Sequence, residues 1–157
     1  MNAGAYGSGD ASYRGAGERA GLHRLVTRFY EYMDSLPEAQ RIRAMHPLDL
    51  ANAREKLEVF LTAWLGGPNE YRERFGPISI PGAHARFAIE EPERDAWLLC
   101  MSRAVDEQPW VPLFKAYFMR AIAMPAERIR IASVAERDGT SSCGSLPRPS
   151  ERSIEPR

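Results

Sequence analysis

Residues 50–68 read LANAREKLEVFLTAWLGGP. Leu50, Ala53, Leu57, Phe60, Leu61 and Trp64 recur with the spacing of one helix face. The run then stops on Gly66-Gly67-Pro68. Glycine closes a helix in the left-handed conformation, and proline cannot continue it. The stretch therefore predicts an amphipathic helix with a hard C-terminal stop.

Reading outward, the same period returns on both sides. Upstream, Leu22, Leu25, Val26, Phe29 and Met33 form a stripe that Asp34 to Pro37 terminates. Downstream, Trp97, Leu98, Met101, Ala104 and Val105 form another. It follows Glu90, Glu91 and Glu93, acidic residues that suit a helix N-terminus. Leu113, Phe114, Tyr117, Phe118, Ala121 and Ile122 make a further stripe, expected to end near Pro125. Alternation with period two is confined to Ile78/Ile80 and Phe87/Ile89, too short for a sheet. Four long helices and a loose Pro/Gly-rich stretch between Pro68 and Pro92 predict an all-α fold.

The chain has 157 residues, 44% hydrophobic and 27% charged, with 21 basic and 21 acidic side chains. That length and composition predict one globular domain. The balanced charge offers no footprint for nucleic acid and no basic stripe for an anionic membrane. No apolar run approaches a membrane span, and the N-terminus lacks the apolar core of a signal peptide. Of the two cysteines, Cys100 sits in an apolar helical run and Cys143 in a polar stretch. They make a poor disulfide pair, which points to a reducing, cytoplasmic setting. Residues 1–15 are Gly/Ala/Ser-rich and read as a flexible N-terminal tail, residues 16–132 as the folded domain, and residues 133–157 as a disordered C-terminal tail.

Several ordered pieces carry a family resemblance. They are Phe29-Tyr30, Met45-His46-Pro47, Trp64-Leu65-Gly66-Gly67-Pro68, Phe75-Gly76, His84 with Phe87 and Ile89, and Asp95-Ala96-Trp97-Leu98. In this order, across about residues 16–123, the chain resembles the group II truncated hemoglobins. The resemblance implies a two-over-two truncated globin fold and a heme b (iron protoporphyrin IX) cofactor, with His84 as the proximal iron ligand. One departure stands out. Relatives usually carry a basic run before the proximal histidine and a proline after it. Here the stretch reads GPISIPGAHARF over residues 76–87, without those arginines and with Arg86 where proline is common.

Neutral imidazole is the usual axial ligand of globin heme, which suits His84. Tyr30 lies about 40° around the helix from Val26 and so faces inward. Taken alone it reads as a core tyrosine bonded to a backbone carbonyl; by resemblance it is a distal hydrogen-bond donor to the iron's ligand. Trp97 alone reads as plain core, and by resemblance it aims its N–H at the same ligand, since indole nitrogen can only donate. His46 precedes proline, which disfavours helix. It is a surface turn residue, a third hydrogen-bonding partner or a sixth iron ligand, and the sequence leaves these open. Ala53 and Leu57, a turn apart, are implied to lie over the heme as apolar groups. Phe60, Leu61, Phe75, Phe87, Ile89, Leu98 and Met101 are heme-contact or core residues. Lys56 and Arg86 are candidates for the heme propionates. His23 carries no role in this reading.

Three functions follow. The first is a heme protein that binds dioxygen, carbon monoxide, nitric oxide or peroxide. The second is a heme-dependent enzyme of the peroxidase or nitric oxide dioxygenase type, which would need an external reductase. The third is a heme-free globin fold serving as an interaction module. A monomer and a homodimer both stay open.

Overall fold

The computed structural model describes the backbone of residues 6–76 and 89–142, and the side chains of that set as far as residue 133. Seven α-helices are described: α1 (Ala11–Gly15), α2 (Glu18–Ser35), α3 (Gln40–Ala44), α4 (Ala51–Trp64), α5 (Tyr71–Phe75), α6 (Glu91–Asp106) and α7 (Pro112–Ser142). A 3-10 turn, Pro37–Ala39, joins α2 to α3. No strand occurs among the described residues, as the absence of period-two patterning requires. None of the described helices is long and apolar enough to cross a membrane.

The α2 stripe packs against both α4 and α6, and α6 packs against α7. The pair α2/α4 thus meets the pair α6/α7, the two-over-two arrangement. Leu22, Leu25, Phe29 and Met33 of α2, Leu61 of α4, Met101 of α6, and Phe114, Phe118 and Ile122 of α7 are essentially fully buried. Each such side chain contributes about 1.5–3 kcal/mol by leaving water. At the surface, Glu107 accepts from Arg28 at 3.0 Å and from Tyr32, tying the end of α6 to α2. These donors pull the Glu107 carboxyl down to about 2. The pair is solvent-exposed, so it contributes little to stability. Glu58 of α4 takes Arg19 and His23 of α2, each at 2.9 Å, which gives His23 a surface hydrogen-bond partner.

The end of α4 explains the glycine pair. The Gly67 N–H donates to Thr62 O at 2.9 Å and the Gly66 N–H to Ala63 O at 3.1 Å, the paired bonds of a Schellman stop. Gly66 has a φ of 92°, and a Cβ there would stand 1.9 Å from the Gly9 carbonyl oxygen. The N-terminal stretch is therefore seated on this helix end. From Tyr6 onward it departs from the flexible tail expected of residues 1–15. The Tyr13 N–H donates to Leu65 O at 3.1 Å. Ser12 is buried, and the Tyr6 ring packs against Phe114 and Tyr117 at 5.0 and 5.4 Å. Small residues read as flexible in composition; here they let backbone approach backbone, and the two tyrosines anchor the segment.

The second departure is α7. It was expected to end near Pro125, yet it continues to Ser142. Its helical backbone thus extends through residues 133–142, at the start of the expected C-terminal tail. Proline lacks the N–H that would bond the carbonyl four residues back, but long-range partners hold the following turns. Glu127 accepts from Arg94 of α6 and from Arg130. Ser133 Oγ accepts from the Ile89 N–H at 3.0 Å.

Gly66→Ala is expected to destabilise the fold by about 1–3 kcal/mol, the usual cost of a side chain in left-handed backbone, or more because of the clash with Gly9. The urea unfolding midpoint measures this. An unchanged midpoint would show that the N-terminal segment does not dock on α4.

Candidate functional site

Between α4, α6, α7 and the corner after α3 lies a cavity of about 410 Å³, within the range of small-molecule and cofactor sites. Of the positions singled out by sequence, Tyr30, His46, Ala53, Lys56, Leu57, Phe60, Ile89 and Trp97 line it. Leu61 and Met101 do not; both are fully buried in the packed core. Leu98 is partly buried against that core. Phe75 packs at a tilt on Tyr71 with ring centroids 5.2 Å apart and is absent from the described wall. His84, Arg86 and Phe87 lie outside the described residues, as does Cys143.

Three of the polar groups on this wall come from positions that the sequence singled out for the distal side. Tyr30, on α2, is 5% exposed, and its hydroxyl donates to the Ala53 carbonyl at 3.3 Å. That is the carbonyl bond of a plain core tyrosine, but it is long for an O–H donor. Burial pushes the phenol well above its ordinary range, so the group stays a neutral donor. Trp97, on α6, packs edgewise on Phe29 at 5.1 Å. Its indole N–H has no hydrogen-bond partner among the described residues. His46 packs edgewise on Tyr30 at 5.9 Å, and its Nδ1 lies 2.7 Å from the Ile42 carbonyl. A carbonyl only accepts, so Nδ1 carries the proton. When the ring is neutral, Nε2 is then a bare lone pair. The tyrosine and tryptophan are donors, whereas the neutral histidine offers an acceptor.

Other wall residues had escaped the sequence reading. Ile122, Ala126 and Ile129 form the α7 wall. Their i, i+4, i+7 spacing was visible, but it straddles the proline at which the helix was expected to end. Glu93 also lines the cavity with its side chain 1% exposed. In the sequence it had the appearance of an ordinary acid at a helix start.

A largely apolar enclosure whose polar groups include the Tyr30 and Trp97 donors fits a large, mostly apolar cofactor that presents a small polar ligand. Among the described residues, no group of three or more His, Cys, Asp or Glu could hold a bare metal ion. Tyr30→Phe is expected to change the stability of the cofactor-free protein by less than about 1 kcal/mol, since the Ala53 bond is long and weak. Denaturant unfolding measures it; a clearly larger loss would make the hydroxyl a structural tie.

Comparison with known proteins identifies the family. The family described as bacterial-like globin matches residues 12–124. Group 2 truncated hemoglobin YjbI of Bacillus subtilis (strain 168) is 38% identical over 97 residues, covering 62% of this chain and 70% of the relative. Among solved structures, the group II 2-on-2 hemoglobin of the plant pathogen Agrobacterium tumefaciens aligns with a TM-score of 0.72 at 38% identity, over 76% of this chain and 92% of that one. The truncated oxygen-avid haemoglobin from Bacillus subtilis aligns with a TM-score of 0.69 at 31% identity, over 76% of this chain and 98% of that one.

Proposed function

The chain belongs to the bacterial-like globin family, as a group II truncated hemoglobin, and from that premise we propose that it holds heme b in the cavity described above and binds dioxygen and other diatomic ligands there. The observation that carries this reading is the placement of two donors, Tyr30 and Trp97, on one apolar cavity. When bound, the heme supplies an iron centre that takes a diatomic ligand and shifts negative charge onto it. His84 is the proposed axial ligand, on the strength of the family resemblance. Lys56 lines the cavity with Nζ 5.4 Å from the Phe75 ring centroid; it and Arg86 are the proposed propionate partners.

The work of the chain is electrostatic. The Tyr30 phenol stays neutral because burial opposes its ionisation, so it can donate to an incoming acceptor. Its bond to Ala53 O is long enough to be exchanged for a better one. Phe29 fixes the Trp97 ring, so that N–H is positioned before any ligand arrives. Donors fixed in advance stabilise developing negative charge with little reorganisation. Ala53, Leu57 and Phe60 supply the dry surroundings that strengthen such bonds. A protein of this kind retains dioxygen, which suits redox chemistry on the ligand or sensing better than carriage. The buried, unpaired thiol of Cys100 supports a cytoplasmic location.

A hydrogen bond to a charged group contributes about 1.5–3 kcal/mol, and about 1.4 kcal/mol is a factor of ten. Tyr30→Phe and Trp97→Phe are each expected to speed dioxygen release by about tenfold or more, measured by stopped-flow displacement with carbon monoxide. Unchanged release in both variants would refute the donor assignment. His84→Ala is expected to lose stable heme, read from the heme-to-protein ratio after desalting. A ferrous spectrum identical to that of the parent would remove His84 from the iron.

A further inference from the structure

The corner between α3 and α4 places Met45, His46 and Pro47 on the cavity wall, yet its own residues do little to hold it there. Pro47 has no N–H to give. The Leu48 side chain is 96% exposed and adds no apolar anchor. Among the described residues, no backbone N–H bonds the Pro47 or Leu48 carbonyl. One side chain takes both. Arg43 donates from Nη1 to Pro47 O at 2.9 Å and from Nη2 to Leu48 O at 3.1 Å. Its Nε donates to Asp34 Oδ1 at 2.8 Å. The rigid fork of a guanidinium can serve three acceptors at once; the compact ammonium of lysine lacks that geometry. The Arg43 side chain is mostly packed away from solvent and is absent from the cavity wall.

The clamp is fastened to the helix that carries a donor. Asp34 follows Tyr30 by four residues on α2, so the two are neighbours on that helix. The corner is thereby tied one turn beyond Tyr30. His46 completes the link. Its backbone N–H donates to Arg43 O at 3.1 Å, its Nδ1 lies 2.7 Å from Ile42 O, and its ring meets Tyr30 edge-on at 5.9 Å. The Tyr30 ring thus packs on two rings, Phe29 at 5.0 Å and His46. Its hydroxyl has only the long bond to Ala53 O at 3.3 Å, so packing does more than hydrogen bonding to fix it.

We propose that Arg43 is a positioning residue for the Tyr30 donor: by tying the Pro47 and Leu48 carbonyls to Asp34, it seats the His46 ring against Tyr30 and keeps that hydroxyl in place for a ligand that carries negative charge. Arg43 touches no ligand and acts through His46. The inference rests on the heme-binding reading and on Tyr30 as a donor. A loosened corner weakens the hold on dioxygen, which draws on the donor. It spares carbon monoxide, which takes up little negative charge when bound.

The test compares release of the two gases by stopped-flow displacement. A Soret shift with carbon monoxide in the parent establishes that heme is loaded; its absence removes the heme reading and the proposal with it. Tyr30→Phe is measured next, and dioxygen release unchanged in that variant overturns the donor assignment and, through it, the proposal. Arg43→Met is then expected to speed dioxygen release by about fivefold, short of the tenfold or more for loss of the hydroxyl itself, with carbon monoxide release close to that of the parent. In a Tyr30→Phe or a His46→Ala background the same substitution should add nothing, the coupling that a double-mutant cycle reads. Arg43→Lys keeps the charge without the fork and should behave as Arg43→Met does. Equal acceleration of both gases would make the corner a plain barrier and overturn the proposal. So would an additive effect in either background, parent rates in Arg43→Met, or parent rates restored by lysine. Asp34→Ala removes a largely exposed carboxylate and keeps the proposal open to refutation if the Arg43 variants do not take up heme. It should speed dioxygen release by about twofold, as loss of one exposed pair allows, and leave carbon monoxide release as it was. Dioxygen release like that of the parent in Asp34→Ala would overturn the clamp.

Discussion

The Phe29 ring holds both donors of this site. It is fully buried and meets Tyr30 edge-on at 5.0 Å and Trp97 at 5.1 Å. One side chain in the middle of α2 thereby sets the positions of two polar groups on different helices. Such contacts add modestly to the area burial of the rings. Their larger consequence is geometric, because neither ring can turn without displacing a packed neighbour. The rest of the arrangement follows from α2, whose stripe meets both α4 and α6. The cavity stands where α4 and α6 diverge from it, and the α7 wall closes the space from the other side.

The cavity polarity is divided by chemistry. Tyr30 and Trp97 can present hydrogen to a ligand. His46, with Nδ1 committed to the Ile42 carbonyl, can accept it through Nε2 when the ring is neutral. Proteins seldom leave buried polar atoms unpaired. Ala53 and Leu57 contribute by being apolar, which keeps their part of the wall dry.

Much of this was legible in the sequence. The stripes from Leu22 to Met33 and from Leu50 to Trp64 announce helices because burial on one side imposes a period of 3.6. Gly66-Gly67-Pro68 announces its stop because few residues tolerate that backbone. Tyr30, His46, Ala53, Leu57, Phe60 and Trp97 were named in advance and meet at one cavity. Periodicity says which residues point inward, and not whether they meet a neighbour or a void. For that reason Leu61 and Met101 belong to the core although they share stripes with cavity residues. The extent of α7 was hidden because the bonds that carry it past Pro125 come from Arg94 and Ile89, distant in sequence. The seating of residues 6–15 was hidden because it depends on the closeness of glycine to glycine. The His46 bond to the Ile42 carbonyl and the pairing of Glu93 with Arg41 depend on single contacts that no spacing reveals.

The central claim is that this cavity takes heme and leaves room for a ligand. Its most direct test is the absorption spectrum of the purified protein, ferric and then dithionite-reduced, with and without carbon monoxide. An intense Soret band that shifts with carbon monoxide is the predicted result. A protein that stays colourless after addition of hemin would contradict the account and leave a globin fold that works without its cofactor.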